Sequence, residues 1–482
     1  MSLFSTAPTG IFRRKPVDAI EPETEGGQLA PVLGLWQLVA LGIGAIIGAG
    51  IFALAGAVAS TTAGPGVLFS FLIAGVVSLA AALAYAEFTA LIPRAGTAYT
   101  YGYAVLGEIV GWFIGWDLLL EYTAIVAVVA IGVSGYVGNL LGQIGVHLPA
   151  WMLGAPGTGP GHAVDLVAMI LCLLIAFLLT RGIRSAAWVE TVLVWIKVAL
   201  VLVIIGVGVF YVNTHNYIPF LPYGWSGVFA GAAVVFFAVF GYDALSSAAE
   251  ESADARKHLP KAMMISFAIC MVLYVLVCLV LTGMVYYRKI APQAAFAHAF
   301  QDAGLPGLAS IISLGAILGI VTVMFTFMFA VTRIWFAMSR DGLLPRWFSK
   351  VSARRRVPVR VTWIVGAAAA LIAGVTPIKE AAELTNIGIL LAFVVVCAAV
   401  IVLRYRRPDL ERTFRCPGMP VVPAIGIVGA IWLTVYLAPL TWFRFIGWFL
   451  IGLVIYATYS YRKSVLGKQL RTAAESRLPT NP

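Results

Sequence analysis

Twelve runs of apolar residues constrain what this chain can fold into more than any other feature of its sequence. A transmembrane helix needs about 20 consecutive, mostly apolar residues, since no water reaches backbone groups in the hydrocarbon. The sequence therefore predicts an all-α polytopic membrane protein with 12 transmembrane helices. We place these spans at residues 36–60, 66–92, 108–140, 163–181, 188–212, 228–249, 263–285, 307–338, 361–376, 384–403, 420–438 and 444–461.

The composition excludes several classes of protein. Hydrophobic residues make up 61% of the 482 residues and charged residues only 11%, whereas soluble domains carry about 25% charged residues. This balance excludes a soluble enzyme, a nucleic-acid-binding protein and a secreted disulfide scaffold. Four of the five cysteines lie in apolar runs, and none has metal-ligand spacing, so helix packing is their expected role. No metal or other cofactor is expected.

The net charge of +11 is explained by membrane topology. Of the 32 Lys and Arg residues, 27 lie in the two terminal segments or in every second loop, which would be on the same side of the membrane as the termini. Four lie in the other set of loops, and one, Lys197, lies within a span. Cytoplasmic loops are enriched in Lys and Arg. The sequence therefore predicts that the N-terminal segment, residues 1–35, and the C-terminal tail, residues 462–482, are both cytoplasmic.

The first span contains an unusual density of glycine. Gly42, Gly44, Gly48 and Gly50 fall within nine residues, and each weakens a helix by about 1 kcal/mol relative to alanine. One explanation is close helix packing, because Gly44 and Gly48 have the small-xxx-small spacing. The other is that the helix unwinds in the membrane and exposes backbone groups that must bind something.

The sixth span favours the second explanation. Gly241 and Asp243 interrupt its apolar run, and it corresponds to the first span if the first ten helices form two groups of five. Paired interruptions at corresponding positions indicate a transporter site built from inverted repeats. The predicted repeats are residues 36–212 and 228–403, and two extra helices follow at residues 420–461.

Two unwound helices would offer two kinds of backbone group to a ligand. Free N–H groups around residues 48–51 favour an anion such as a carboxylate. Free carbonyl groups near Phe237, Ala238 and Phe240 favour an ammonium group. An α-amino acid carries both charges a short distance apart, so it is the expected ligand.

Several motifs resemble the amino acid–polyamine–organocation superfamily. They are GIGAIIGAGIF at residues 42–52, AEF at 86–88, PRAGTAYTY at 93–101 and SRDGLLP at 339–345. Two further stretches are similar to its cationic amino acid transporter branch, namely GWDLLLEY at residues 115–122 and ELTNIG at 383–388. These motifs span nearly the whole chain.

The resemblance implies a leucine-transporter-type fold, with a five-plus-five inverted repeat, broken helices 1 and 6, two extra helices and alternating access. Vertebrate members have fourteen helices, so twelve is more similar to a bacterial relative, which implies the bacterial inner membrane. Many members carry Thr or Ser where this chain has Ala49, so a hydroxyl contact to the substrate carboxylate is missing here. The expected substrate-binding residues are Ile46, Gly48, Ala49, Gly50, Phe237, Ala238, Phe240 and Glu121.

Lys197 lies about 13 Å into the fifth span at 1.5 Å per residue. A lysine near the bilayer centre costs about 2.5–3.5 kcal/mol on insertion scales. Snorkelling to the interface is the alternative to a functional role. In similar proton-coupled transporters, a lysine at this place replaces a bound sodium ion. We therefore expect Lys197 to carry the coupling proton, and we expect no sodium site.

The other buried charges have less specific interpretations. Glu121 lies near mid-depth of the third span. The resemblance implies that it lies near the substrate side chain, where its carboxylate would suit the distal cation of arginine, lysine or ornithine. The alternative is that it pairs with a donor on a neighbouring helix. Asp117 lies one turn earlier on the same face. Asp243 borders the second interruption, where capping of freed backbone amides and direct contact with the substrate are equally plausible roles. Glu87 and Arg94 flank the cytoplasmic end of the second span, where an ion pair that supports or gates the structure is expected.

The function predicted from the sequence is proton-coupled uptake of L-amino acids, cationic and small neutral ones. An amino acid or polyamine exchanger and a non-transporting amino-acid sensor remain alternatives. A membrane enzyme is not expected, since the spans contain no nucleophile–base pair. A channel is not expected either, because it would need a continuous polar stripe, whereas the charges within these spans are few and isolated. The expected partners are the substrate and membrane lipid, with no nucleic acid; a small single-span membrane protein remains an open candidate.

Overall fold

The computed structural model describes residues 10, 13, 33–91, 97–180, 187–292, 294–350 and 358–475. This part of the chain is mostly helical and contains no β-strand, only two isolated bridges. The helices of its first half are α1 (Leu35–Ile46), α2 (Ala55–Val58), α3 (Val67–Leu91), α4 (Thr97–Val105), α5 (Glu108–Gln143), α6 (Leu166–Thr180) and α7 (Ala187–Gly208). Those of its second half are α8 (Gly224–Val235), α9 (Ala255–Met284), α10 (Ala295–Asp302), α11 (Pro306–Arg340), α12 (Val359–Val375), α13 (Ile378–Arg406), α14 (Val421–Val435), α15 (Pro439–Ile455), α16 (Tyr461–Lys463) and α17 (Val465–Glu475).

Several of these helices, alone or joined to a neighbouring helix, have the dimensions of membrane spans. Within the described ranges, eight helical stretches are long and apolar enough to cross a membrane, and α6, α12 and α14 are apolar but shorter. One of the eight, Leu35–Leu91, is interrupted between α2 and α3, where a π-helical turn at Ala59–Ala63 ends at Gly64, which has a φ of 63° and is followed by Pro65. The all-helical class is confirmed, and these helices fit a polytopic membrane protein.

α5 lies at the centre of the packed helices. It is buried along most of its length and packs against α11, α13, α12 and α6, whereas α3 packs against α9 and α8, and α1 packs against α9 and α7. At its first turns α5 is joined to α15 by two tryptophans. The Trp116 indole donates to the Trp448 carbonyl at 2.9 Å, and the Trp448 indole donates to the Trp116 carbonyl at 3.0 Å. Their rings stack with centroids 4.3 Å apart.

The structure extends the sequence prediction in two respects. The helices α4, α10 and α17 lie outside the predicted spans, because they are short and a search for long apolar runs does not detect them. The helix α9 begins at Ala255, eight residues before the predicted span at 263–285, because its first turns carry Arg256, Lys257 and His258. Polar turns of this kind continue a helix beyond its apolar run.

Candidate substrate and coupling site

The first interruption lies at the end of α1. The helix ends at Ile46, and the next residue, Ile47, has an extended conformation with φ −75° and ψ 101°. Helical backbone resumes with a π-helical turn at Gly50–Leu54. The first amides of a new helix have no intrahelical acceptor, so the backbone around Gly50 presents N–H groups at this point.

The second interruption follows α8. The helix ends at Val235, a 3₁₀ turn covers Phe236–Ala238, and a second 3₁₀ segment begins at Tyr242. Between them Gly241 has a φ of 111°, a conformation in the left-handed region that favours glycine.

The two interruptions contact each other directly. A Cβ atom added to Gly241 would lie 2.8 Å from the Ala45 carbonyl oxygen, at the end of α1. A Cβ atom added to Gly50 would lie 2.4 Å from the Cβ atom of Ala238. The glycines therefore allow the unwound parts of α1 and α8 to pack backbone against backbone.

Side chains from four surrounding helices bond the carbonyl groups near these interruptions. The Tyr274 hydroxyl of α9 donates to the Ile46 carbonyl at 2.8 Å, and the Tyr136 hydroxyl of α5 donates to the Phe52 carbonyl at 2.7 Å. Ser78 of α3 donates to the Val239 carbonyl at 2.6 Å. The Asn386 amide of α13 donates to the Ala233 and Val234 carbonyls at 2.7 and 3.0 Å. These bonds satisfy carbonyl groups that unwinding would otherwise leave without partners.

Lys197 on α7 reaches the first interruption. Its side chain is fully buried, and its Nζ donates to the Gly44 carbonyl at 2.9 Å and to the Ile47 carbonyl at 3.2 Å. A buried ammonium group is costly unless hydrogen bonds compensate it. The ammonium group therefore lies against the unwound end of α1 and not at the surface of the protein.

Three buried carboxylic acids lie near one another in the centre of the protein. Asp117, Glu121 and Asp243 are 1%, 2% and 5% exposed, and Glu121 is within electrostatic range of the other two. In the described part of the chain, both Asp117 oxygens, Oε2 of Glu121 and Oδ1 of Asp243 have no hydrogen-bond partner. The other Asp243 oxygen accepts a bond from the Tyr122 hydroxyl at 2.8 Å. Such oxygens can accept a proton or a cationic group.

Aromatic side chains pack beside these acids. Phe237 and Phe240 meet edge to face with ring centroids 5.5 Å apart, and Phe327 of α11 contacts both Phe240 and Tyr122. Ala238 lies between Phe237 and Phe240 in the sequence, and it is the residue that packs against Gly50. The cluster is apolar and almost completely buried.

The remaining predicted residues of the first interruption, Gly48 and Ala49, face two different helices. A Cβ atom added to Gly48 would lie 3.3 Å from Val323 of α11, and one added to Gly132 of α5 would lie 3.0 Å from the Ala49 Cβ atom. Ala49 is therefore buried against α5. The structure thus brings together the predicted residues of the two interruptions and Lys197 of α7.

Glu87 has a position separate from this site. Its carboxylate accepts hydrogen bonds from Arg404 and from Arg412 Nε, the latter at 3.0 Å, and from the Cys416 backbone N–H at 2.8 Å. Glu87 thus joins the end of α3 to the end of α13 and to the segment after it. Arg94, the expected partner, lies outside the described residues.

Two cavities open at the end of α5 that is opposite Glu108. Their volumes are about 450 and 390 Å³, and both are lined by His162 and His298. The smaller cavity is also lined by Leu54, which follows the first interruption, and by Val234, which precedes the second. Burial lowers the pKa of the His298 imidazole, although the Asp302 carboxylate opposes this effect. The smaller cavity therefore borders residues next to both interruptions.

Sequence reasoning missed several residues of the site. Tyr274, Ser78 and Asn386 bond the carbonyl groups of the interruptions, and Phe327 completes the aromatic cluster. The signal that could have indicated the first three is a polar side chain within an apolar run. Nothing in the sequence distinguishes Phe327 from the other apolar residues of α11.

Comparison with known proteins identifies the class to which this fold and site belong. The model of the amino acid permease family matches residues 33–461, which is most of the chain. The chain therefore belongs to the amino acid permease family, within the amino acid–polyamine–organocation superfamily. It is a membrane protein of the amino acid transport class.

Three relatives show the range of the similarity. The chain is 44% identical over 462 residues to the branched-chain amino acid permease BcaP of Bacillus subtilis, covering 95% of this chain and 99% of the relative. It is 42% identical over 460 residues to the methylthioribose transporter of the same organism, covering 95% of this chain and 100% of the relative. It is 36% identical over 407 residues to the vacuolar cationic amino acid transporter 4 of Arabidopsis thaliana, covering 83% of this chain and 68% of the relative.

Proposed function

We propose that this protein is a proton-coupled secondary transporter that takes up L-amino acids by alternating access. The observation that carries the proposal is the buried Lys197 ammonium group, bonded to the Gly44 and Ile47 carbonyls where α1 unwinds. The ammonium group donates hydrogen bonds to two carbonyl oxygens that could otherwise coordinate a metal cation. Its positive charge would also repel a sodium ion. A proton gained or lost at Nζ changes the charge at the end of α1 by one unit.

The proposed topology has twelve spans. The first repeat consists of α1 continued through α2, then α3, α5, α6 and α7, and the second of α8, α9, α11, α12 and α13. The helices α14 and α15 are the two extra spans. Because Lys and Arg are concentrated near the termini and in alternate loops, both termini would face the cytoplasm of a bacterial cell.

The substrate would bind where the interruptions of α1 and α8 meet. Amides around Gly50 suit an α-carboxylate, and backbone carbonyls around Phe237 suit an α-ammonium group. Glu121 and Asp117 have oxygens without hydrogen-bond partners within the described residues, so they suit the distal cation of arginine, lysine or ornithine. Cationic amino acids are therefore the first proposed substrates.

Branched-chain amino acids are the second candidate. The relative named as a branched-chain permease matches 95% of this chain at 44% identity, compared with 83% of this chain at 36% identity for the cationic transporter of Arabidopsis thaliana. The apolar cluster of Phe237, Phe240 and Phe327 suits an aliphatic side chain better than a cation. In that case a proton would have to neutralise the carboxylates near the site.

Uptake into proteoliposomes tests substrate and coupling together. We expect labelled arginine to accumulate when an inward proton gradient is imposed and not when an inward sodium gradient is imposed, with leucine and alanine as the neutral comparisons. Accumulation of leucine alone would favour the second candidate. Uptake that requires an amino acid inside the vesicles would indicate an exchanger, and binding without uptake would indicate a sensor.

A further inference from the structure

Two glycines of α11 face α7 one helical turn apart. Gly315 and Gly319 have the small-xxx-small spacing that allows membrane helices to pack closely. The side chains opposite them differ. A Cβ atom added to Gly315 would lie 3.0 Å from Leu200 Cδ2, whereas one added to Gly319 would lie 2.6 Å from Lys197 Cγ and 3.1 Å from Lys197 Cδ. Gly319 therefore faces the aliphatic part of the lysine that bonds the end of α1.

The position of this contact along the lysine side chain matters. Cγ is close to the backbone of α7, while Nζ at the other end is bonded to the Gly44 and Ile47 carbonyls. A methyl group at position 319 would displace Cγ and with it the whole chain that leads to Nζ. Lys197 is fully buried, so its side chain has little room for another conformation.

We propose that Gly319 is a positioning residue for Lys197. Its lack of a side chain leaves the space through which the lysine stem passes to reach the unwound end of α1. This inference rests on the proposed role of Lys197 as proton carrier. Through this contact α11 also fixes where the proton is held, although Gly319 itself carries no proton and bonds no substrate.

The first test compares Gly319→Ala with Gly315→Ala in proteoliposomes. Gly315→Ala is the control, because it adds the same methyl group to the same helix and against the same neighbour α7, but opposite Leu200 instead of Lys197. We expect Gly319→Ala to lower proton-driven uptake by about tenfold, the equivalent of a modest overpacking cost. Its pH profile should shift, while substrate affinity measured without a gradient changes less. Gly315→Ala should keep the pH profile of the wild type, and equal profiles for both variants would overturn the proposal.

The second test is a double-mutant cycle that does not depend on transport. Lys197→Ala removes Cγ and Cδ, so a methyl group at position 319 then has space. We expect Gly319→Ala to lower the melting temperature of the wild-type protein in detergent, but not that of the Lys197→Ala variant. A Gly319→Ala protein that folds only in the Lys197→Ala background would support the same conclusion. Gly315→Ala should have the same effect in both backgrounds.

The two tests separate this inference from the proposed function. If uptake by the wild type does not respond to a proton gradient, the proposed coupling is wrong, and the melting cycle still decides whether Gly319 acts through Lys197. If Gly319→Ala lowers the melting temperature equally in both backgrounds, the positioning role is wrong whatever the coupling ion is.

Discussion

Lys197 is the residue whose chemistry can be tested most directly. Lys197→Met keeps an aliphatic stem of similar length but removes the donor to the Gly44 and Ile47 carbonyls. We expect proton-driven uptake of arginine to fall by at least about a hundredfold, the scale on which loss of a positioned proton-transfer group acts. Uptake is measured in proteoliposomes across a range of external pH.

The control for this variant is Lys350→Met, since Lys350 is an exposed lysine after the end of α11. It should retain wild-type uptake and pH dependence. A Lys197→Met protein that still accumulates arginine against a gradient when protons are supplied would contradict the assignment of the proton to this residue.

Glu121 tests substrate preference at the same scale. Glu121→Gln removes a buried negative charge with almost no change in volume, so an arginine side chain loses a charge-assisted bond while an aliphatic one loses little. We expect arginine affinity to fall by about tenfold or more, since hydrogen bonds to charged groups are worth about 1.5–3 kcal/mol. Competition against a labelled neutral amino acid measures both affinities in one protein. Equal losses for arginine and alanine would remove Glu121 from the side-chain pocket.

At the scale of the helix, the sequence predicts more than it does for individual contacts. Long apolar runs identify the membrane helices because lipid requires a continuous apolar surface. The glycine cluster at residues 42–50 and the single Gly241 after α8 indicate where the chain loses helical conformation, because glycine removes both side-chain packing and helix propensity. The contacts of Tyr274, Ser78 and Asn386 could not be predicted, because they depend on which helices become neighbours. The same is true of Lys197, whose depth follows from the sequence but whose acceptor carbonyls do not.

The contact between the two interruptions gives a prediction at this scale. Gly241 has a φ of 111°, and a Cβ atom there would lie 2.8 Å from the Ala45 carbonyl. In Gly241→Ala, an alanine must adopt a positive φ, which costs about 1–2 kcal/mol. Its Cβ atom also clashes with the Ala45 carbonyl oxygen. We expect a clear loss of thermal stability in detergent together with loss of substrate binding.

Gly206→Ala provides the comparison, because it changes a glycine of α7 with nothing within 4 Å of the added Cβ atom. It should leave stability unchanged or raise it slightly, since alanine favours a helix by about 1 kcal/mol over glycine. If the two substitutions affect stability and binding alike, the interruptions do not need the close approach at Gly241.

At the scale of the whole molecule, Glu108 joins segments that are distant in the sequence. At the start of α5, its carboxylate accepts bonds from Tyr103 of α4 at 2.9 Å, from Tyr456 after α15 at 3.2 Å and from Ser464 before α17. Arg13 Nε donates to the same carboxylate at 2.7 Å, and the Glu108 backbone N–H donates to the Arg13 carbonyl at 2.8 Å. The two ends of the chain are thus held together at the start of the central helix. The apolar pattern of the sequence contains no indication of this joint.

Arg13→Met tests how much the joint contributes to stability. Both side chains are buried, 6% and 0% exposed for Arg13 and Glu108, so the substitution leaves a buried carboxylate without its cation. Breaking a buried ion pair in this way costs about 3–5 kcal/mol, and we expect the free energy of unfolding in detergent to fall by that amount. Lys257→Ala breaks an exposed pair with Asp254, at 67% and 40% exposure, and should change stability by less than about 1 kcal/mol. Similar losses in the two variants would mean that Glu108 is held by its hydroxyl donors alone, and that the arginine is not needed to join the ends of the chain.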